Sequence, residues 1–151
     1  NRFANLNVLD LKDHHQTRTA ANEIYLKLVA ILPQIKSDLA DRGIKFKQAS
    51  KRSFYPSGHF IYPPGGGMPW HTNNDFPGQR IYISHVDSPE QSAFRYIQND
   101  KIIDDFDTGW NLRVFEVGKS KPLWHSVHTQ VTRLSLGFLV DFNSLDECSD
   151  E

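Results

Sequence analysis

Gln79-Arg80-Ile81-Tyr82-Ile83-Ser84-His85-Val86 is the stretch on which the fold turns. Arg80 and Tyr82 share one side while Ile81 and Ile83 share the other, which is the period of a strand. Working outward, a period near two predicts further strands over 44–48, 57–62, 93–98, 101–104, 111–117, 123–128 and 132–142. Turn residues separate them: Pro63-Pro64-Gly65-Gly66-Gly67, Pro77-Gly78, Asn99-Asp100 and Gly118-Lys119. The period changes at Gly43. Before it, Ile24, Leu28 and Ile31 recur at helical spacing, as do Ala21, Tyr25 and Leu28. Pro33 divides that region into expected helices over 19–32 and 34–42, and Gly43 stops the second. Short strands at regular intervals after a helical start predict a mainly β domain, a β-roll of about eight strands fronted by N-terminal helices. The expected organisation is one domain over 1–151. It comprises a polar segment (1–18), helices (19–42), the β-roll (44–142) and an acidic tail (143–151).

Composition narrows the classes. The chain has 151 residues, of which 38% are apolar and 23% charged, so it should fold as one domain. Aromatics at 12% favour a β-rich core. Seventeen basic residues against 18 acidic ones, with no basic tract, lack the electrostatic signature of a nucleic-acid binder. Cys148 is the only cysteine, which excludes internal disulfides and cysteine-based zinc sites. No apolar run reaches the ~18 residues of a membrane span, so no membrane association is expected. A soluble, reducing compartment, such as the cytoplasm, is the default expectation. Because the chain starts at Asn1 and its only methionine is Met68, the start looks trimmed, which leaves a targeting segment open.

Two histidines stand out. His71 follows a Pro- and Gly-rich run ending in Trp70, and His125 follows Trp124, 54 residues later. A β-roll can bring two such strands side by side with both imidazoles in its mouth, and imidazole suits iron, zinc, copper or nickel. His128, three residues after His125, points the opposite way on a strand. Asn73 and Asp75, just after His71, offer oxygen donors near such a metal and stand as tentative ligands. Arg133 and Ser135 share a strand face that is otherwise apolar, where a buried guanidinium needs a partner and a bound carboxylate would serve. Trp70 and Trp124 flank the histidines and are candidates to shape a substrate pocket. Arg113 is a candidate substrate contact, or else a structural ion pair with Asp104, Asp105 or Asp107. Gly65-Gly66-Gly67 lacks the Gly-Lys-Ser/Thr ending of a phosphate loop.

Taken in order, these pieces resemble the iron(II)- and 2-oxoglutarate-dependent oxygenases, and most closely their aspartyl/asparaginyl β-hydroxylase branch. The matching residues are Pro64-Gly65, His71-Thr72, Arg80, His125-Ser126-Val127 and Arg133 with Leu139-Val140-Asp141, spanning roughly 60–142. The resemblance implies a double-stranded β-helix (a jelly-roll, cupin-like fold) with iron(II) held by His71 and His125. It also implies 2-oxoglutarate held by Arg133 and Ser135 at its distal carboxylate, and by Arg80 and Tyr82 nearer the metal. The implied activity is a dioxygenase reaction that hydroxylates a small-molecule or peptide substrate as 2-oxoglutarate is decarboxylated to succinate. Asn73 departs from the usual pattern, since most of the superfamily has a carboxylate two residues after the first histidine. The β-hydroxylase branch works with two histidines alone, and halogenases of the superfamily fill the vacancy with halide. The eight residues from His125 to Arg133 are fewer than is usual in the family. A halogenase-type variant and a non-catalytic β-sandwich binding module are the alternative readings.

Overall fold

The structure is a computed structural model that describes residues 9–11, 15–43, 54–73, 75–118 and 120–141. A short strand β1 (Leu9–Asp10) precedes helix α1 (His15–Asp41). Eight strands follow: β2 (Phe54–Tyr62), β3 (Gly67–His71), β4 (Gly78–Val86), β5 (Ser92–Gln98), β6 (Lys101–Phe106), β7 (Trp110–Val117), β8 (His125–Thr129) and β9 (Arg133–Asp141).

The chain from β2 to β9 is one long ribbon folded back on itself and rolled up. Its tip is Asn99-Asp100, where both residues have positive φ (51° and 60°), as a two-residue hairpin turn matched to the twist of its strands requires. From that tip β5 pairs with β6, β4 with β7, β3 with β8 and β2 with β9, all antiparallel. Rolling the ribbon lays alternate pairs in alternate sheets. One sheet has the order β1-β2-β9-β4-β7 and the other β3-β8-β5-β6. This strand order is a double-stranded β-helix, the form of β-roll that the resemblance implies.

Two apolar layers hold it together. Helix α1 covers the outer face of the larger sheet, where Leu28 packs with Ile81, Leu136 and Phe138. Between the sheets lie Tyr62, Phe94 and Val127, flanked by Phe60, Met68, Tyr82, Tyr96 and Phe115.

Several expectations need correction. The two predicted helices are one, starting at His15 within the segment read as polar, and passing through Pro33. Proline inside a helix costs ~3 kcal/mol. Here Ile24, Tyr25, Leu28 and Val29 before Pro33 and Ile35 after it pack against the same sheet, and that shared burial outweighs the break. The predicted strand over 44–48 lies outside the described residues. The Pro- and Gly-rich approach to His71 contains strand β3, which the turn residues conceal. β3 is an edge strand with a register irregularity between Met68 and His71, and edges and bulges are where a strand tolerates Pro69. Gly67 is required for a different reason: a Cβ there would strike the Val127 carbonyl oxygen of β8. Gly67→Ala should therefore push β3 off β8 and destabilise the fold by about 1–3 kcal/mol, the usual range for overpacking. Thermal denaturation checks this, and an unchanged midpoint would refute the close approach.

Candidate active site

Strands β3 and β8 bring the two histidines together. Gly67 stands opposite His128 and Met68 opposite Val127, but His71 stands opposite His125. Continued without interruption, the first register would set His71 against residue 124, one position before β8 begins. The extra residue in β3 re-aims His71 onto the face of His125, a known use of β-bulges. The imidazole centroids end 4.2 Å apart.

Both rings are oriented the same way. His71 Nδ1 lies 2.7 Å from the Pro69 carbonyl oxygen and His125 Nδ1 lies 2.8 Å from that of Leu123. A carbonyl accepts only, so each Nδ1 carries the proton and each Nε2 keeps its lone pair. Burial pushes His125 down to about 4, with the neighbouring His71 and then Arg80 adding to the effect. Burial also lowers His71, and Arg80 adds to it. At neutral pH both are uncharged donors. Asn73, in the left-handed region (φ 54°), sets its Nδ2 3.4 Å from His125 Nε2, so its amide stands beside the same lone pair. Asp75 is exposed on the cavity lining. Among the described residues no group of three or more His, Cys, Asp or Glu side chains converges for a metal. Asp75, read as a tentative third ligand, thus shares the cavity lining with both histidines from an exposed position.

The two rings open into a cavity of about 590 Å³ between the sheets. The larger sheet supplies Tyr62, Arg80, Tyr82, Arg133, Ser135 and Gly137 to its lining; Trp70, Phe76 and Trp124 also line it, the last two well exposed. Gly137 leaves room for Tyr82, because a Cβ there would meet Tyr82 Cε1 at 3.2 Å and Ser57 Oγ at 2.9 Å. Burial raises Tyr82 and pushes Tyr62 up to about 12, so both phenols keep their protons. Arg80 lies 5% exposed, with Nη2 donating to the Phe76 carbonyl oxygen at 2.5 Å, which ties the β3–β4 loop to the cavity wall.

Arg133 is 1% exposed. Its Nε donates to Asp107 Oδ2 at 2.8 Å, its Cζ lies 5.6 Å from the centre of the Tyr62 ring, and its Nη1 is buried without a hydrogen-bond partner. A buried donor left unmade costs ~1–3 kcal/mol, so this nitrogen is a place where an acceptor is wanted.

Asp107 is the residue the sequence reading missed, considered there only as a partner for Arg113. It is fully buried, and its two oxygens accept from Ser84, Ser92, Arg113 and Arg133. Burial alone would raise its carboxyl group, but the Arg133 charge and these hydrogen bonds outweigh it and hold the group at about 2. Of the two readings of Arg113, substrate contact or structural ion pair, the structure shows the ion pair, with Asp105 and Asp107. Arg113 is absent from the cavity lining and is spent on Asp105 Oδ2 (2.7 Å) and Asp107 Oδ1 (2.7 Å). Asp104 pairs instead with Arg95. His128 is exposed, opposite in direction to the buried His125.

Among the described residues no helix is long and apolar enough to cross a membrane. No protein-family model matches the chain, and no curated protein matches it in sequence. Among solved structures it is similar to a Pseudomonas putida prolyl-4-hydroxylase at a TM-score of 0.45 and 21% identity, over 58% of this chain and 48% of that one. The chain thus spans about half the length of that enzyme. It is also similar to a cupin domain from Bordetella pertussis Tohama I (TM-score 0.41, 11% identity, 66% of this chain and 99% of that one). A third likeness is to the cupin domain of Schizosaccharomyces pombe Cnp3 (0.36, 16%, 67% and 66%). None of these three is an aspartyl/asparaginyl β-hydroxylase, and it is the strand order of this chain that assigns its fold.

Proposed function

We propose that this chain is an iron(II)- and 2-oxoglutarate-dependent oxygenase that hydroxylates a small-molecule or peptide substrate. One observation carries the reading. Two imidazoles held in the Nδ1–H tautomer, the Nε2 of one touched only by the Asn73 amide at 3.4 Å, line one cavity with Arg133, whose buried Nη1 has no hydrogen-bond partner. The donor set fits iron(II) as a two-histidine site, because imidazole suits the metal and both tautomers are already set. The orphaned Nη1 fits the distal carboxylate of a dicarboxylate cosubstrate. When bound, iron(II) with 2-oxoglutarate supplies the dioxygen chemistry, releasing succinate and carbon dioxide.

The remaining work belongs to the chain. The Pro69 and Leu123 carbonyls keep His71 and His125 in the ligating tautomer. Arg133 and Ser135 hold the distal carboxylate, while Arg80 and Tyr82 attend its other end. Tyr62, Phe94 and Val127 exclude water between the sheets. Trp70, Phe76 and Trp124 form the rim against which a substrate lies. The aspartyl/asparaginyl branch is supported by the sequence motifs alone. A halogenase-type variant is favoured by one observation, that an amide rather than a carboxylate stands beside His125 Nε2.

The test is an anaerobic titration of iron(II) followed by 2-oxoglutarate, watching the weak visible charge-transfer band of the chelate. The band is expected only with both present. A chain that binds neither would be a non-catalytic module. Chloride incorporated into the product, in place of hydroxyl, would move the assignment to the halogenase-type variant.

A further inference from the structure

Asp107 and Arg113 stand behind the cavity wall, and neither lines the cavity. Asp107 lies in the connection between β6 and β7, with its main chain fixed on both sides. Its N–H donates to the Ser92 carbonyl oxygen (2.8 Å), and its own carbonyl accepts from the Glu90 N–H (3.0 Å). Its carboxylate is shared evenly. Oδ1 accepts from Arg113 Nη1 (2.7 Å) and Ser84 Oγ (3.2 Å), while Oδ2 accepts from Arg133 Nε (2.8 Å) and Ser92 Oγ (2.5 Å). One buried negative charge is thus divided between two guanidinium groups. Only Arg133 faces the cavity, and its Nη1 is the nitrogen left without a partner.

The division has an electrostatic consequence. If Asp107 belonged to Arg133 alone, the pair would be neutral and an incoming carboxylate would meet little net attraction. Because Arg113 claims the other oxygen, Arg133 keeps part of its charge toward the cavity. In a buried, weakly screened setting such a difference matters at several ångströms. Arg113 is itself steadied from the surface side by Asp105, and its Cζ lies 5.4 Å from the centre of the Phe94 ring.

We propose that Arg113 and Asp107 form a charge-setting pair behind Arg133 that determines how strongly the cavity holds an anion, without either residue touching it. This rests on the reading of Arg133 as the contact for the distal carboxylate. It is a positioning and tuning role, and it predicts opposite signs at two adjacent residues. Arg113→Met hands the whole carboxylate to Arg133 and weakens anion binding. Asp107→Asn removes the shared negative charge and tightens it. The asparagine can keep its Oδ1 on Arg133 Nε and Ser92 Oγ while its Nδ2 donates to Ser84 Oγ; Arg113 Nη1, a donor that Nδ2 cannot serve, then gives up this partner and Arg113 stays on Asp105. A merely structural network would weaken binding in both variants or in neither.

The experiment titrates 2-oxoglutarate calorimetrically into the zinc(II)-loaded full chain, which supports no turnover, well below the thermal midpoint of each variant. Arg113→Met should raise the dissociation constant roughly tenfold, the scale of one buried charge at moderate effective dielectric. Asp107→Asn should lower it by a similar factor, and Arg113→Lys, which keeps the charge, should stay within about threefold of the parent. Should Asp107→Asn fail to fold, the contrast between Arg113→Met and Arg113→Lys decides alone. Parent-like or tighter binding by Arg113→Met overturns the proposal, as does a shift of both variants in one direction. Arg133→Met separates the two readings. If it binds 2-oxoglutarate like the parent, the anion-contact reading itself has failed. If it loses binding while Arg113→Met does not change, only the charge-setting pair has failed.

Discussion

Arg133→Met is expected to leave metal binding intact while weakening 2-oxoglutarate binding by about two to three and a half orders of magnitude. The size follows from burial. Arg133 is 1% exposed, and removing one partner of a buried charge pair costs about 3–5 kcal/mol, at 1.4 kcal/mol per tenfold. Methionine keeps much of the side-chain volume, so the cavity wall beside Tyr62 stays filled. Asp107 loses one hydrogen bond but keeps those from Arg113, Ser84 and Ser92, so the carboxylate is not abandoned. The imidazoles should not notice, because the arginine whose charge bears on both of them is Arg80. Calorimetric titration of zinc(II) and then of 2-oxoglutarate separates the two effects. Parent-like 2-oxoglutarate affinity in this variant would remove Arg133 from the anion site. A parallel loss of zinc(II) would mean that the substitution disturbs the fold.

The ribbon of strands was legible because alternation and turn residues are local properties. Arg80 and Tyr82 on one face, and Asn99-Asp100 at the hairpin tip, need no knowledge of partners. Strand β3 was illegible for the converse reason: Gly67 and Pro69 speak locally for a turn, and only the neighbouring β8 makes an edge strand of them. The helix through Pro33 is the same kind of case, since the sheet beneath decides it. At the site, His71, Arg80, His125 and Arg133, singled out by their order along the chain, line one cavity. The bulge that turns His71 onto the face of His125 is a register property between two strands, and no single strand announces it. Asp107 lies deeper still. Its partners Ser84, Ser92 and Arg133 are 23, 15 and 26 residues away in sequence, joined only when the ribbon rolls. The sequence raised the question that Asp107 half answers, namely what a buried arginine on an apolar strand is paired with.

His125→Ala should abolish measurable metal binding, and with it any turnover. Its ring stands 4.2 Å from that of His71, centroid to centroid, and the nearby Asn73 offers only an amide in exchange. Losing even a hydrogen-bond partner behind a ligand costs about 10–100-fold in metal affinity, so losing the ligand itself should cost more than about 100-fold. The pH dependence gives an independent check. A metal needs the neutral ring, and burial holds His125 at about 4 against an ordinary 6.5. Because burial lowers His71 as well, zinc(II) or iron(II) affinity in the parent should begin to fall only below 6.5, and His125 should keep its lone pair until about 4. The same shift acts on stability. The folded state holds fewer protons than the unfolded chain between those values, so this contribution is fully present above 6.5 and is lost as pH falls toward 4. In His125→Ala that slope of the thermal midpoint should flatten along with the loss of metal. If metal affinity in the parent fell through an ordinary 6.5 instead, the ligating ring would be an exposed histidine. If His125→Ala bound metal as the parent does, the centre would lie away from the β3–β8 pair altogether.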